Sequence, residues 1–375
     1  ILEGLDEDDP EAAAEELANE LAALEARVLY TISREEDLSA LEAHRAYDRF
    51  GPYLLPRIKG TFALHQLRLL LGNELFFEVM AATHDRYRGR EMSTGEFLTV
   101  AEEISGRELS AFIDQWLHRT GLPQVKPTVE LKEVRGDGWD LAVGVEQGGD
   151  PYRFVTHLEV ETADGLSLHR IELDGNKAVS LHFEERPIRV VFDALHDLPV
   201  EHGNFYEWRN LIDDFNDTLI VYGTARQIEA NHTMARRWQE RVADTYIEIL
   251  PPLVKDSEID EEQVKNHDLM VVGTLTDNYF FGHMPEEVPV RFGRNHFEWM
   301  GETFGEPDDG LFLVVPNPWN PGRVMYVLAS NSGMELYDMT ETYHRGIPQW
   351  ARFKGDEIVE QGYFDREGFV IELSE

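Results

Sequence analysis

The stretch KGTFALHQLRLLLGNELFFEVM, residues 59–80, decides the fold of the first third of the chain. Its apolar residues recur with the spacing of one face of a helix, which predicts a buried helix. Pro56 is predicted to begin this helix, because proline is favoured in a first helical turn. Gly72 is predicted to end it, because glycine readily adopts the left-handed backbone found at helix ends. A second helix is predicted to begin near Leu75.

Further helices are predicted on both sides of this stretch. Residues 11–30 place leucines and a valine on one helical face, which predicts a long amphipathic helix. The pairs Ser93/Glu96 and Ser105/Glu108 have the spacing of a capping box, in which each side chain bonds the other residue's backbone amide. They predict two more helix starts. The second of these helices is predicted to end at Gly121.

Together with STGEFLTVAEEISGRELSAFIDQWLHRTGLPQVKP, residues 93–127, the opening stretch resembles the aminopeptidase-N-type zinc metallopeptidases. The resemblance covers roughly residues 53 to 126. It implies that this segment is the helical back half of a thermolysin-like catalytic domain, placed after the zinc ligands. The family ends this half in a turn similar to residues 116–123 of this chain.

The resemblance also implies a zinc site with the motif H-E-x-x-H, which this chain lacks. No catalytic residue and no metal ligand is therefore predicted here, and zinc is expected only if an upstream segment supplies its ligands. The fourteen histidines are predicted to be surface groups or hydrogen-bonded core groups. The family places an oxyanion-stabilising tyrosine two residues before the Lys59-Gly60 pair, where this chain has Arg57. Arg57 and, as a substitute, Tyr53 are the oxyanion candidates.

Two explanations for the missing zinc motif remain open, so enzymatic activity is uncertain. The chain is either the C-terminal part of a longer peptidase that acts on peptides, or a binding or scaffold protein derived from that family. The first residue is Ile rather than Met, which favours a removed upstream segment. The arginine at position 57 favours decay, because truncation does not alter a retained residue.

The charge of the chain restricts its partners. Asp and Glu number 72 against 34 Lys and Arg, giving a formal net charge of −38. A nucleic acid partner is excluded on this ground, because no basic stripe offsets the repulsion between polyanions. A solvated acidic surface is predicted, as in proteins adapted to high salt, and an acidic surface that attracts cationic ligands is the alternative. No apolar run is long enough for a membrane span, and no cellular compartment is predicted.

The predicted fold class is multi-domain α+β, with a helical domain at 1–123, a β-sandwich at 124–200 and an α/β domain at 201–375. Between residues 126 and 193 apolar and polar residues alternate, and Gly-Asp turns interrupt them, as in antiparallel strands. Such a sandwich follows the helical half in many members of the family. The apolar runs at 218–222 and 268–272 flank a predicted helix at 228–245, which favours a mostly parallel, Rossmann-like or flavodoxin-like sheet.

Ligands of such sheets gather beyond the carboxyl ends of the parallel strands. The predicted ligand-binding residues of the α/β domain are small and polar, and they are Thr224, Thr274, Asn278, Asn317 and Asn331. No G-x-G-x-x-G fingerprint of a dinucleotide site is present. Ser332 lies between a predicted strand and helix, so a serine hydrolase is a further alternative. The bulky Met334 argues against it, since a nucleophile elbow needs small neighbours.

Overall fold

The computed structural model describes residues 10–34, 37–43, 50–200, 206–208, 210–213, 217–243, 250–341 and 347–373. The chain mixes helices with several sheets, which confirms the predicted α+β class at that level. It divides into two compact units, residues 1–202 with 365–375, and residues 203–364. Two parts of the predicted domains lie outside the described residues. They are residues 1–9 of the predicted helical domain and the residues just after the predicted boundary at 200.

The first unit begins with helices. They are α1 (Pro10–Arg34), α2 (Ala40–Ala43), α3 (Phe50–Leu71), α4 (Asn73–Tyr87), α5 (Thr94–Ser105) and α6 (Ser110–Leu117). The prediction for Gly72 is confirmed, because α3 ends at Leu71 and Gly72 has φ of 83°. Pro56 instead lies inside α3, which starts earlier than predicted. Among the described helices, none has the length and apolar character needed to cross a membrane.

The two predicted capping boxes have different outcomes. Ser93 and Glu96 form the box as predicted, at the start of α5. Ser105 instead ends α5, and the Glu102 carboxylate of that helix accepts hydrogen bonds from the amides of Leu109 and Ser110, at 2.7 and 3.2 Å. A carboxylate from the preceding helix therefore caps α6. The prediction was wrong because it considered local spacing alone.

Antiparallel strands follow in the first unit, as the alternating pattern predicted. They are β1 (Val125–Val134), β2 (Gly138–Gln147), β3 (Arg153–Thr162), β4 (Gly165–Asp174), β5 (Val179–Phe183) and β6 (Arg189–Phe192). One sheet has the order β1-β2-β5, and β3 pairs with both β4 and β6 in another. Apolar side chains of both sheets and of α3 to α6 belong to one core. The predicted boundary at 123/124 therefore falls inside a unit with a shared core.

The second unit alternates helices and strands. Its elements are α7 (Asn210–Asp213), β7 (Thr218–Tyr222), α8 (Ile228–Ala243), β8 (Leu253–Lys255), α9 (Glu261–Asn266), β9 (Asp268–Thr274), β10 (Val290–Phe292), β11 (Phe297–Trp299), β12 (Glu302–Phe304), β13 (Asp309–Asn317), β14 (Asn320–Ser330), α10 (Gly333–Glu341), β15 (Trp350–Lys354) and β16 (Glu357–Gly362). The helix predicted at 228–245 is present to Ala243, and residues 244 and 245 lie outside the described residues.

The main sheet of the second unit is mixed and not mostly parallel as predicted. Its order is β16-β15-β13-β14-β9-β7-β8, with parallel pairing only from β14 to β8. Strands β13 and β14 are joined by Pro318 and Trp319 alone. So short a connection forces antiparallel pairing, since a parallel crossover needs a dozen or more residues. The prediction of a mostly parallel sheet did not take this short connection into account.

Different elements pack on the two faces of this sheet. Helices α8 and α10 pack on β7, β9, β13 and β14. The apolar side chains of the other face share a core with strands β10 to β12, through Phe297 and Trp299. A Rossmann-like or flavodoxin-like fold has helices on both faces. The observed unit differs, because a small antiparallel sheet takes part in covering one face.

The end of the chain returns to the first unit. Strand β17 (Val370–Glu372) pairs with β6, which completes a four-stranded sheet of order β17-β6-β3-β4. Phe369 is 3% exposed and packs edge-to-face on Phe192. The predicted α/β range 201–375 therefore ends in residues that belong to a different sheet. A three-residue strand carries too little sequence pattern to assign it to a partner.

Candidate functional site

Helix α3 carries both oxyanion candidates on one exposed face. Arg57 and Tyr53 are one helical turn apart, and the guanidinium lies 3.9 Å from the centroid of the tyrosine ring. Tyr53 is 37% exposed, and Arg57 is exposed as well. Such stacking attracts the cation to the ring and restricts its side chain. The structure thus brings these two predicted residues together at the surface of the unit.

Lys59 lies on the opposite, buried side of α3. Its Nζ is 2.6 Å from Asp37 Oδ1 and donates to the carbonyl of Leu38 at 2.8 Å. Burial lowers the pKa of Lys59, while the hydrogen bond to Asp37 opposes that shift. Asp37 also accepts a hydrogen bond from the amide of Gly121. This anchor fixes the rotation of α3 and so keeps Arg57 facing outward.

The outward face of α3 forms a continuous surface that we term the α3 stripe. Its residues are Tyr53, Arg57, Gly60, Thr61, Leu64 and Arg68, all exposed or half-buried. No Asp or Glu occurs between Phe50 and Leu71, although a 22-residue segment of average composition in this chain would carry about four. The α3 stripe is therefore an aromatic and cationic surface on a strongly anionic chain.

A buried polar cluster lies on the inner side of the same helix. Asp197 Oδ1 is 2.8 Å from His65 Nε2, and its Oδ2 is 2.8 Å from His157 Nδ1. Burial opposes ionisation of Asp197, but hydrogen bonds from His157 and His65 outweigh it and hold the pKa of this carboxyl below its usual range. His65 is thus a hydrogen-bonded core histidine, the class that the sequence predicted.

Asp193 and Arg366 extend the buried cluster. Asp193 accepts hydrogen bonds from the Thr156 hydroxyl at 2.6 Å, the Asp197 amide at 2.9 Å and Arg366 Nη1 at 2.9 Å. Arg366 also bonds Glu25 of α1 at 3.2 Å. Burial raises the pKa of Asp193 to about 7, although the Arg366 guanidinium lowers it. The cluster joins α1, α3, β3 and the end of the chain.

The turn that supplies this cluster has an unusual backbone. Asp193 and His196 have positive φ values of 54° and 52°, which non-glycine residues seldom adopt. His196 Nδ1 lies 2.7 Å from Glu25 Oε2, so the turn is held at both of these positions. Sequence reasoning missed the cluster. The signal was the occurrence of two aspartates within the apolar run VVFDALHDLPV, residues 190–200.

Neither this cluster nor another group of described residues fits zinc. Among the residues that the structure describes, no three His, Cys, Asp or Glu side chains are grouped so that they could hold a metal ion. Both Asp197 oxygens are engaged by histidine rings. Asp193 is held by Arg366, and a cation next to a guanidinium is disfavoured.

In the second unit, three predicted ligand-binding residues meet at one edge of the main sheet. Thr224 follows β7, Thr274 ends β9, and Asn278 follows in the next turn. The Thr224 hydroxyl donates to Asp256 Oδ1, while Asp256 Oδ2 accepts from the Tyr279 amide at 2.7 Å. The three residues therefore lie at the carboxyl ends of two adjacent parallel strands.

The polar groups at this edge bond mainly to the protein itself. Asn278 Nδ2 donates to the carbonyls of Val221 and Val272, at 3.2 and 3.0 Å, and so links β7 to β9. A Cβ atom on Gly223 would lie 2.3 Å from the Asp277 carbonyl oxygen. Only glycine therefore fits where the backbone at position 223 approaches the backbone at Asp277. Asn278 is 3% exposed. These contacts give Asn278 a structural role, and ligand binding here stays a prediction.

The other two predicted asparagines lie at opposite edges of the sheet. Asn317 is at the opposite edge of the sheet, about 20 Å away along a seven-residue strand, where its Nδ2 donates to the Val264 carbonyl at 2.7 Å. It lies there because β13 runs antiparallel to its neighbour. Asn331 follows β14 on the same edge as Thr274, and it donates to the carbonyls of Phe304 and Glu306.

Ser332 and Glu335 begin helix α10. The Glu335 amide donates to the Ser332 hydroxyl at 3.2 Å, so Ser332 acts as a helix cap. The Glu335 side chain is 1% exposed, and its Oε2 accepts from the Gly355 amide at 2.9 Å, while Oε1 has no hydrogen-bond partner among the residues that the structure describes. Burial raises the pKa of Glu335 to about 8, and the nearby Asp338 adds to the shift. Glu335 is a candidate titrating group that sequence reasoning missed.

Comparison with known proteins gives one sequence relative. The chain is 31% identical over 71 residues to aminopeptidase N of Lactococcus lactis subsp. lactis. It is therefore similar to an aminopeptidase in one segment. That segment is 19% of this chain and 8% of the relative, so the chain spans a small part of the relative's length. No protein-family model matches the chain.

A solved structure also aligns with the chain. It is the crystal structure of Legionella pneumophila aminopeptidase A in complex with aspartic acid. The alignment covers 53% of this chain and 23% of that one, with 15% sequence identity and a TM-score of 0.32.

Proposed function

We propose that this chain is a C-terminal region of an aminopeptidase-like protein, in which α3 forms one wall of a peptide-binding cavity. The similarity to aminopeptidase N over 71 residues supports a peptidase relationship. The observation that carries the proposal is the outward-facing pair of Arg57 and Tyr53 above the anchored Lys59. The proposal is supported by the donors of Arg57, since this residue stands at the position where the family resemblance implies an oxyanion stabiliser.

In this proposal, the residues that bind zinc come from segments other than those described. When bound, zinc would polarise the scissile carbonyl and activate a water molecule. Arg57 would donate N–H groups to the oxygen on which negative charge develops, and Tyr53 would orient the guanidinium by stacking. The buried cluster around Asp197 would hold α3 in place beneath them.

The test uses the protein encoded by the complete gene. We expect one zinc per chain by mass spectrometry after dialysis and hydrolysis of an amino-acid anilide. Replacing Arg57→Gln is expected to lower kcat by about 100-fold, the typical loss for one oxyanion donor. The matched control is Arg90→Gln, since Arg90 also lies over a tyrosine ring, at 5.2 Å from that of Tyr87. Unchanged kcat in Arg57→Gln and in Tyr53→Ala, which removes the stacked ring, would contradict the proposed role.

The second candidate is a non-catalytic binding or scaffold protein derived from the same family. Arg57 favours it, because arginine stands where the family has tyrosine. For the 375-residue chain itself we expect no stoichiometric zinc and no anilide hydrolysis. A complete gene product that also lacks both properties would support the scaffold over the enzyme. One tightly held zinc in the 375-residue chain would contradict both candidates as stated.

A further inference from the structure

We propose that the first unit associates with a second copy of this chain through the outer edge of strand β4. The two β4 strands would pair antiparallel, with a two-fold axis at Ser167. This inference does not depend on zinc, on catalysis or on the peptidase relationship. It assigns a partner to a sheet edge that the described fold leaves unpaired.

Strand β4 is the last strand of the sheet of order β17-β6-β3-β4, and it pairs with β3 along its whole length. The Glu161 carbonyl of β3 accepts from the Ile188 amide at 2.9 Å, on the β6 side. Bonding direction alternates along a strand, so Val160 faces its β4 partner Ser167, whose hydroxyl also donates to the Val160 carbonyl at 3.2 Å. The even-numbered residues from 166 to 172 therefore point their N–H and C=O groups away from β3.

This edge also exposes large apolar side chains. Leu166 is 64% exposed and Leu168 is 50% exposed. Edge strand β1 of the other sheet instead exposes Lys126, Glu130 and Lys132. Charged side chains of this kind protect a sheet edge from pairing with another chain. Strand β4 lacks this protection at its two leucines, so its edge is suited to a further strand.

The order of side chains along this edge is complementary to itself. An acid, two leucines and a base alternate with other residues, and they are Asp164, Leu166, Leu168 and Arg170. An antiparallel copy centred on Ser167 places Asp164 opposite Arg170 of the second copy. The same arrangement places Leu166 opposite Leu168 of the second copy. By symmetry the pairing contains two acid–base pairs and two leucine pairs, which are cross-strand contacts that stabilise sheets.

Charge also selects this register over its neighbours. If the axis moved by one or two residues toward the C-terminus, Asp164 would lie opposite Glu172 or Asp174 of the second copy. Like charges directly opposite each other destabilise a sheet. The register centred on Ser167 avoids both of these contacts.

The hairpin end of β4 is the accessible end. Toward the other end, Arg170 Nε and Nη2 donate to the Leu69 carbonyl of α3 at 3.1 and 2.6 Å. This contact does not use Nη1, which stays available for the Asp164 carboxylate of the second copy. Residues 163–166 are all exposed. A pairing of about five residues on each copy buries little surface, so we expect a weak association that depends on concentration.

Sedimentation equilibrium of the 375-residue chain tests the association. In KCl at about 0.15 M the Debye length is about 8 Å, so the repulsion between two chains of net charge −38 is largely screened while charges in contact still interact. We expect the weight-average mass to rise above 43.1 kDa as the protein concentration increases from micromolar to millimolar. A mass that stays at 43.1 kDa throughout would overturn the proposal.

Matched variants assign the association to the β4 edge. Asp164→Arg is expected to weaken it about tenfold, because two attractive pairs become repulsive. The control is Asp137→Arg, which makes the same charge change in the exposed turn between β1 and β2 and should not weaken association. A general effect of net charge would instead strengthen association in both variants. Leu168→Thr should also weaken it, and unchanged association in Asp164→Arg and Leu168→Thr would contradict the assignment.

A single introduced cysteine reports the register, because the chain has no cysteine of its own. In the Ser167→Cys variant the two cysteines would face each other at the axis as a non-hydrogen-bonded pair, with Cα atoms about 4.5 Å apart, which permits a disulfide. In the His169→Cys variant the Cα atoms would be about 14 Å apart, too far for one. We expect mild oxidation to link the first variant into dimers and to leave the second monomeric. Linking of His169→Cys that equals or exceeds that of Ser167→Cys would overturn the proposed pairing.

Discussion

Asp193 and Arg366 are 173 residues apart in the chain, yet Asp193 Oδ2 lies 2.9 Å from Arg366 Nη1 in a fully buried contact. The contact brings the end of the chain to the turn that follows β6. Arg366 also bonds Glu25, so one guanidinium offsets two buried carboxyl groups. Removing it would leave the buried Asp193 carboxyl without its guanidinium partner.

We therefore predict that Arg366→Met destabilises the first unit by about 3–5 kcal/mol, the usual cost of breaking a buried ion pair from one side. Urea denaturation followed by tryptophan fluorescence measures this change. The control is Arg153→Met, because Arg153 pairs with Glu172 at the surface and should cost less than about 1 kcal/mol. Similar losses in the two variants would contradict the stabilising role of the buried contact.

The buried Glu335 carboxyl is expected to make the stability of the second unit depend on pH. Burial raises its pKa from 4.5 to about 8 in the folded chain. Between these values the unfolded chain releases the proton while the folded chain keeps it, so stability falls as pH rises. Above about pH 8 Glu335 is ionised in both the folded and the unfolded chain, so the loss of stability no longer grows with pH.

Replacing Glu335→Gln removes this ionisation and keeps an acceptor for the Gly355 amide. We expect the variant to be more stable than the wild type at pH 9 and to differ little at pH 4.5. Thermal unfolding across this pH range measures the difference, with the exposed Glu298→Gln as control. A constant offset between wild type and variant at all pH values would reject the linkage.

The cap of helix α6 gives a third prediction. Glu102 accepts hydrogen bonds from two amides at the start of α6, whereas Ser105 does not cap that helix. Glu102→Ala is expected to cost about 1 kcal/mol, as loss of a helix cap does. Ser105→Ala should cost much less, and chemical denaturation compares the two. A larger loss in Ser105→Ala would restore the capping box that local spacing suggested.

The net charge gives a fourth prediction. If the 38 excess negative charges repel one another, KCl raised from low to molar concentration should increase the melting temperature by screening that repulsion. Differential scanning fluorimetry measures this shift, and sorbitol at equal osmolality is the uncharged control. A flat or falling melting temperature would indicate an ordinary acidic surface without adaptation to salt.

Local pattern was sufficient for many elements of this chain. The helical spacing around Leu67 and the glycine at position 72 located the end of α3, and the Ser93/Glu96 pair located the start of α5. Alternating residues between 126 and 193 gave the strands of the first unit. These features depend on contacts between near neighbours, so the sequence contains the information that specifies them.

Only the tertiary structure decided the contacts between distant residues. The pairing of β17 with β6, the cap that Glu102 gives to α6, and the cluster of Asp193, Asp197 and Arg366 all join segments without a shared local signal. The outward position of Arg57 was likewise settled by the burial of Lys59 with Asp37. Periodicity shows which residues face a core, but packing and hydrogen bonding select the partner that each of them meets there.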